Sequence, residues 1–230
     1  MLGEDGQKLS KRHGAVSVMQ YEQMGYLPEA MVNFLARLGW GHGDAEVFTR
    51  NEFVTWFDLG AISPAPSRYN ADKLKWLNHE HLKRLREDDV GRRFPLYLSR
   101  AGLDPGAGPP PGAVAMLLRD RVATLAEMVD AAHYFYSFVS PPPALVAEFV
   151  GEPVRIALAA LAARLKDIDW TREALAAAMK AQAAEHGLKP GQVMMAMRVL
   201  VCGTRETPAI DAVLALLGRE RTLARLSASL

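Results

Sequence analysis

Residues 70–86 read NADKLKWLNHEHLKRLR and carry the clearest helical pattern in the chain. The apolar positions of this stretch are Leu74, Leu77, Leu82 and Leu85. Leucines at these spacings share one face of a helix, which is the face that packs against the rest of a protein. Asn70 precedes the pattern and is a favoured N-cap residue. We therefore predict a long amphipathic helix that begins after Asn70.

The other face of this predicted helix is basic. Its cationic residues are Lys73, Lys75, Lys83, Arg84 and Arg86, and Trp76 and Asn78 interrupt them. Two interpretations are open for such a face. It can be an ordinary solvated surface, or it can bind the phosphates of a nucleic acid, which lysine and arginine contact without reading sequence.

The remainder of the chain also predicts helices, because alanine and leucine dominate and β-branched residues are sparse. A Thr49-x-x-Glu52 capping box opens one helix. Thr171 and Thr207 are predicted to cap two others, with Pro208 in the first turn of the second. The further predicted helical segments are 16–24, 28–38, 88–103, 114–129, 144–165, 192–201 and 219–226. We therefore predict an all-α fold.

Bulk properties exclude several classes. A net charge of +1 excludes a uniformly basic nucleic-acid binder but not a local basic face. Cys202 is the one cysteine, so no intrachain disulfide can form, which fits a cytosolic setting. No apolar run is long enough for a transmembrane helix. His79 and His81 do not share a helix face, so we predict no metal site there.

A stretch rich in proline and glycine, 103–112, interrupts the helical pattern most clearly. Such a stretch cannot form a helix or a central strand. It can separate two domains, or it can be a long loop between helices of one bundle, and the immediate return of helical pattern favours the loop. The aromatic run Tyr134, Phe135, Tyr136 and Phe138 can stack on bases, but burial in a core is the more common role.

The first residues form a glycine-flanked basic segment, EDGQKLSKRHG at 4–14. Glycine lets a backbone approach a ligand closely, and lysine is a mobile point charge suited to phosphate. On composition alone this is either a polyphosphate-binding loop or a solvated basic loop.

The order of residues in this segment resembles the KMSKS signature of class I aminoacyl-tRNA synthetases, in its glutamyl-tRNA synthetase setting. The matching residues are Lys8, Leu9, Ser10, Lys11 and Arg12. The resemblance implies that this loop grips the phosphates of ATP, with magnesium, during glutamate activation. It implies catalytic roles for Lys8, Ser10 and Lys11, with Lys11 stabilising the charge on the transferring nucleotide.

A class I synthetase also needs a nucleotide-binding sheet domain with a HIGH-type motif, and residues 41–44 (GHGD) do not supply one. The chain is therefore expected to be the C-terminal part of a longer enzyme, starting just before the motif loop. We expect this part alone to hold no cofactor and to make no adenylate.

The segment 69–78 resembles the part of that family that links the catalytic core to the inner corner of tRNA. The implied stem contacts are Lys73, Lys75, Trp76 and Asn78. The last half of the chain resembles the anticodon-binding region of bacterial glutamyl-tRNA synthetases, most specifically at 189–193, 197–198, 207–208 and 216–221. We expect a motif-loop and stem-contact domain at 1–86 and two helical anticodon-binding subdomains at 87–138 and 139–230.

Four residues are implied to face the anticodon: Arg121, Arg198, Thr207 and Pro208. Arg121 matches the arginine that reads the third anticodon base, which is cytosine in glutamate tRNAs and guanine in glutamine tRNAs. A guanidinium only donates hydrogen bonds, so it suits the acceptors of cytosine but faces donors on the pairing edge of guanine. Arg198 matches an arginine at the first anticodon position, beside a contact loop at Thr207 and Pro208.

The resemblance thus implies a cytoplasmic, monomeric glutamate–tRNA ligase whose partners are tRNA(Glu), glutamate and ATP, without a membrane. Two alternatives stay open. One is a relaxed enzyme that also charges tRNA(Gln). The other, from a different class, is a helical protein-interaction module that binds no RNA.

Overall fold

A computed structural model of the chain describes residues 2, 7 and 17–230. Secondary structure in this described part consists of thirteen α-helices and one short 3-10 helix, Leu59–Ala61. Extended segments pair there only through isolated bridges, Leu2 with Arg68 and Trp40 with Ile62. The prediction of an all-α fold is confirmed.

The helices in chain order are α1 (Val18–Gln23), α2 (Pro28–Arg37), α3 (Arg50–Trp56), α4 (Ala71–Arg84), α5 (Glu87–Arg100), α6 (Pro111–Leu118), α7 (Leu125–Tyr136), α8 (Pro143–Phe149), α9 (Glu152–Arg164), α10 (Arg172–Glu185), α11 (Pro190–Cys202), α12 (Ile210–Leu217) and α13 (Arg219–Ser229).

Three predicted caps are present. The Asn70 side chain accepts a hydrogen bond from the Lys73 N–H at 2.8 Å and starts α4. The Thr49 and Glu52 side chains form the predicted capping box at the start of α3. Thr171 accepts from the backbone of Ala174 at 3.2 Å and starts α10. These local patterns therefore set the helix starts that the sequence indicated.

Two stretches that we predicted as single helical elements are each split. In 114–129, the Thr124 hydroxyl accepts from the Glu127 N–H at 3.1 Å and Glu127 accepts from the Ala123 N–H at 2.8 Å, so a new helix begins at Leu125. In 144–165, Gly151 is an N-cap and a proline follows in the first turn of α9.

The prediction that Thr207 caps a helix starting at Pro208 was wrong. Helix α12 begins at Ile210, with Ala209 as its N-cap. The Thr207 hydroxyl donates to the Pro208 carbonyl at 2.8 Å and accepts from Arg198 Nε at 2.7 Å, so it is already used by other groups.

The chain divides into two compact units, and each is described by itself. The first unit comprises Met1–Val90 and Arg119–Asp130. Helices α2 and α4 pack together in it, and its apolar core joins Tyr21 and Phe34 with the leucines of α4. The predicted apolar face of α4 is thus buried, which leaves its basic face outward.

The second unit comprises Gly91–Leu118 and Ala131–Leu230. Its core is built mainly by α9–α13, which pack against one another. Tyr134, Phe135 and Tyr136 are buried and belong to the core, whereas Phe138, the last ring of the aromatic run, is 38% exposed. Arg225 of α13 is also buried, and its guanidinium donates to the carbonyls of Tyr134 and Val201 at 2.7 and 3.0 Å.

His81 is a buried polar group of the first unit. Its Nε2 lies 2.9 Å from the Asn33 Oδ1, which also accepts from the Phe48 N–H at 3.0 Å. Because that oxygen is an acceptor, the imidazole carries its proton on Nε2. Burial, assisted by the nearby Arg84 charge, lowers the pKa of His81 below its ordinary value.

We expect the first unit to lose stability as the pH falls below about 6.5, the ordinary histidine pKa. The unfolded state takes up the proton there while the folded His81 does not, so unfolding is favoured by up to about 1.4 kcal/mol per pH unit. Denaturant unfolding between pH 7.5 and 5 measures this. His81→Gln removes that part of the slope, whereas the exposed control His133→Gln keeps it. An equal slope in His81→Gln and the native chain would contradict the assignment.

Candidate nucleic-acid interface

Lys75 and Trp76 lie on the exposed side of α4, and the half-buried Lys73 lies beside Trp76. Lys73 Nζ lies 4.0 Å from the centre of the Trp76 ring, a cation–π contact. Trp76 is 39% exposed, which is a high value for so large an aromatic residue. A partly exposed ring flanked by two lysines can contact both a base or ribose and the phosphates beside it.

Both lysines are paired with carboxylates. Lys73 Nζ lies 2.8 Å from Glu46, and its hydrogen bond lowers the pKa of that carboxyl. Lys75 Nζ lies 2.6 Å from Glu127, whose hydrogen bond and charge raise the pKa of Lys75. A phosphate that binds these lysines would therefore replace a carboxylate as their partner.

Asn78 lies on the buried side of α4 and is 0% exposed. Its side-chain oxygen accepts from the Leu27 N–H at 2.7 Å, and its side-chain nitrogen donates to the Ala123 carbonyl at 2.5 Å. The amide thus satisfies two backbone groups of neighbouring segments. A contact between Asn78 and RNA stays a prediction, and this geometry gives the residue a positioning role.

Arg121 lies in the turn between α6 and α7, at residues 119–124, and is exposed. No described residue forms a hydrogen bond or an ion pair with it. The turn itself is held at both ends. Arg119 donates to the Leu85 carbonyl at 2.9 Å, and Ala123 is bonded to Asn78 and to Glu127. A free guanidinium is therefore presented on a fixed backbone.

Arg198, Thr207 and Pro208 lie together in the second unit. Arg198, on α11, is half-buried, and its Nε donates to the Thr207 hydroxyl at 2.7 Å. One terminal nitrogen of the guanidinium lies 3.8 Å from Met195 Sδ. Thr207 and Pro208 are buried. The predicted loop contact is therefore in part an anchor that orients Arg198.

Some predictions lie outside the described residues. They concern the motif loop: Lys8, Leu9, Ser10, Lys11 and Arg12. Across the described ranges, no group of three or more histidine, cysteine, aspartate or glutamate side chains could hold a metal ion. Searched over the same part of the chain, no helix is both long and apolar enough to cross a bilayer.

The sequence patterns missed Glu46 and Glu127, the carboxylates that pair with the two lysines. Glu127 was detectable in part, since Thr124-x-x-Glu127 has the spacing of a helix-capping signature. Glu46 lies in an irregular segment, far along the chain from Lys73, and no local pattern indicates their contact.

Comparison with protein-family models shows the family to which this chain belongs. Residues 69–230 match the family model described as "Anticodon binding domain". The chain belongs to the anticodon-binding domain family. A second model, "tRNA synthetases class I (E and Q), catalytic domain", matches residues 1–76. The anticodon-binding domain region thus contains α4 with its lysines, Arg121 and Arg198.

Relatives of this anticodon-binding domain chain are named glutamate–tRNA ligases. The protein from Thiobacillus denitrificans is 51% identical over 230 residues, which is 100% of this chain and 49% of the relative. The protein from Azoarcus sp. is 49% identical over 227 residues, with 99% of this chain and 49% of the relative covered. The chain spans about half the length of the curated relatives it matches.

A solved structure has the same fold. It is titled a glutamate tRNA ligase from Elizabethkingia meningosepticum in complex with its amino acid, and it superposes with a TM-score of 0.85 at 23% identity, covering 99% of this chain and 49% of that one. At this identity the likeness supports the fold of the anticodon-binding domain chain.

Proposed function

We propose that this chain is the tRNA-recognising part of a glutamate–tRNA ligase, which joins glutamate to tRNA(Glu) at the expense of ATP with magnesium. The observation that supports this most is 51% identity to a protein of that name along all 230 residues. We also propose that this enzyme is cytoplasmic and monomeric.

Lys8, Ser10 and Lys11 are the proposed catalytic residues. They belong to a loop, with Leu9 and Arg12, that would grip the ATP phosphates. A lysine placed beside the transferring nucleotide stabilises the charge that develops there. The match of residues 1–76 to a class I synthetase catalytic domain supports this role.

Lys73, Lys75 and Trp76 are the proposed contacts to the tRNA stem. Their accessible positions on α4 support this, since Lys75 and Trp76 are exposed and Lys73 is half-buried beside Trp76. Lysines at a fixed spacing can set the register of a phosphate backbone. Asn78 would act here by holding the helix against its neighbours.

Arg121 is the proposed reader of the third anticodon base, and Arg198 of the first, supported by Thr207 and Pro208. The exposed and unpaired state of Arg121 among the described residues supports the assignment. Its donors suit the acceptors of cytosine, and against the pairing edge of guanine a donor would be left unpaired, which costs about 1–3 kcal/mol.

We expect the chain to bind tRNA(Glu) transcripts about tenfold more tightly with cytosine than with guanine at the third anticodon position. Arg121→Gln should bring the affinity ratio close to one, because an amide can both donate and accept. Filter binding or fluorescence anisotropy measures the ratio. Arg50→Gln is the matched control, since it removes an exposed arginine of the same unit.

Two outcomes contradict the proposal. Equal affinities for the two transcripts in the native chain would indicate the relaxed enzyme that also charges tRNA(Gln). RNA binding that does not weaken steeply with salt, as phosphate contacts require, would indicate a protein-interaction module instead.

A further inference from the structure

We propose that Glu127 and Asn78 are positioning residues for Arg121. They connect the 119–124 turn, which carries Arg121, to α4, the helix that carries Lys73 and Lys75. This inference rests on the proposed function, because it concerns how precisely the third anticodon base is read. Neither side chain needs to touch RNA in order to act.

The two ends of the 119–124 turn are fastened to α4. At one end Arg119 donates to the Leu85 carbonyl, which is the C-cap position of α4, at 2.9 Å. At the other end Asn78 donates to the Ala123 carbonyl at 2.5 Å. Arg121 lies between these anchors, so the position of its backbone is set by α4.

Glu127 makes the most informative contact, because its two carboxylate oxygens serve two different purposes. Oε2 accepts from the Ala123 N–H at 2.8 Å, which holds the turn. Oε1 lies 2.6 Å from Lys75 Nζ, a proposed stem contact. Ala123 therefore has its N–H held by Glu127 and its carbonyl held by Asn78.

The environment keeps Glu127 charged for this task. Partial burial opposes ionisation, but the hydrogen bonds from Lys75 and from the Ala123 N–H outweigh it and lower the pKa of Glu127. A charged acceptor makes a stronger hydrogen bond to a backbone N–H than a neutral one. The hydrogen bond from the Ala123 N–H to a charged Glu127 carboxylate is thus fully formed at neutral pH.

The functional consequence follows from the precision that base reading needs. Hydrogen bonds weaken steeply when their angle or length is wrong, so a guanidinium on a loose turn can adapt to either base. Loosening the turn should therefore reduce the preference for cytosine. Removing Glu127 also frees Lys75, but this changes the phosphate-driven part of the affinity equally for both transcripts, so the affinity ratio isolates the loss of base reading.

The test compares four forms of the 230-residue chain: native, Glu127→Ala, Glu127→Gln and Asp130→Asn. Glu127→Ala removes the acceptor for Ala123. Glu127→Gln loses the charge that pairs with Lys75 but keeps an oxygen that can accept from the Ala123 N–H. Asp130→Asn is the matched control, an exposed carboxylate on the same helix that has no hydrogen-bond partner among the described residues.

The readout is the affinity ratio for tRNA(Glu) transcripts with cytosine or guanine at the third anticodon position. We expect Glu127→Ala to lower a native ratio of about ten to below about three. Glu127→Gln should give a ratio between those two values, because its neutral oxygen accepts more weakly from the Ala123 N–H, and Asp130→Asn should stay within about twofold of native. In an Arg121→Gln background, Glu127→Ala should change the ratio no further, since a positioning residue acts only through Arg121.

Folding is checked by thermal unfolding of each variant. If Glu127→Ala does not fold, Glu127→Met replaces it, since methionine keeps the length of the side chain but offers no oxygen to the Ala123 N–H, and the same drop is expected. An unchanged ratio in a folded Glu127→Ala or Glu127→Met variant overturns the inference alone. So does a change of the ratio when Glu127→Ala is made in the Arg121→Gln background. A native ratio of one overturns the proposed function as well.

Discussion

Gly25→Ala should destabilise the first unit by roughly 3–5 kcal/mol, the sum of a strained backbone and an overpacked contact. Gly25 has a φ of +85°, a left-handed conformation that alanine adopts only at a cost. A Cβ placed there would lie 2.4 Å from the Ala126 nitrogen and 2.7 Å from the Leu125 nitrogen. Both are backbone atoms at the start of α7, so neither can rotate away as a side chain would.

This glycine also has a functional neighbour. Its carbonyl accepts from the Leu125 N–H at 3.0 Å, one of the free donors of the first turn of α7. The clash would therefore push α7 away at the point where the Arg121 turn enters it. We expect a reduced preference for cytosine along with the loss of stability.

Gly43→Ala is the control for Gly25→Ala, because Gly43 also has a positive φ, of 52°, but nothing lies within 4 Å of an added Cβ. Its expected cost is about 1–2 kcal/mol, from the backbone alone. Urea unfolding followed by tryptophan fluorescence measures both variants, since Trp40, Trp56 and Trp76 lie in the first unit. Equal losses of unfolding free energy in Gly25→Ala and Gly43→Ala would show that α7 does not approach Gly25 closely.

Arg225→Met should destabilise the second unit by about 2–4 kcal/mol, because it leaves two buried carbonyls without a donor. Arg225 is 7% exposed, and the Tyr134 and Val201 carbonyls that it binds lie in the last turns of α7 and α11. A cation at helix C-termini also interacts favourably with the helix dipoles. Burial lowers the pKa of Arg225, and the side chain nonetheless stays charged at neutral pH.

Arg221→Met tests whether the loss of any positive charge from α13 lowers the unfolding free energy of the second unit. Arg221 is exposed on the same helix, so its replacement should change the unfolding free energy by less than about 0.5 kcal/mol. Urea unfolding followed by far-UV circular dichroism compares the two variants. The stabilising role of the Arg225 hydrogen bonds would be refuted if Arg225→Met were as stable as Arg221→Met.

The elements that the sequence predicted well are those set by neighbouring residues. Asn70, Thr49 and Thr171 cap the helices that follow them because the cap and its partner are three residues apart. The Thr207 prediction used the same rule and was wrong. Arg198, nine residues away along the chain, uses that hydroxyl instead, and a local rule does not include it.

The candidate interface shows the same division. The exposure of Lys73, Lys75 and Trp76 follows from helix periodicity, and so does the burial of the leucines on α4. Asn78 reads as one more polar position on that helix. Its burial depends on Leu27 and Ala123, which approach from distant parts of the chain. Periodicity assigns a residue to a face but does not identify what covers that face.

The two carboxylates on the α4 lysines bear on how the protein meets nucleic acid in the first place. Beyond a Debye length of about 8 Å, an approaching polyanion senses paired charges, not bare cations. Long-range attraction toward abundant wrong RNA is correspondingly weak, in keeping with a net charge of +1. Under the proposed stem contact, only a strand whose phosphates arrive at close range with matching spacing would exchange places with Glu46 and Glu127, and selectivity would begin at the encounter itself.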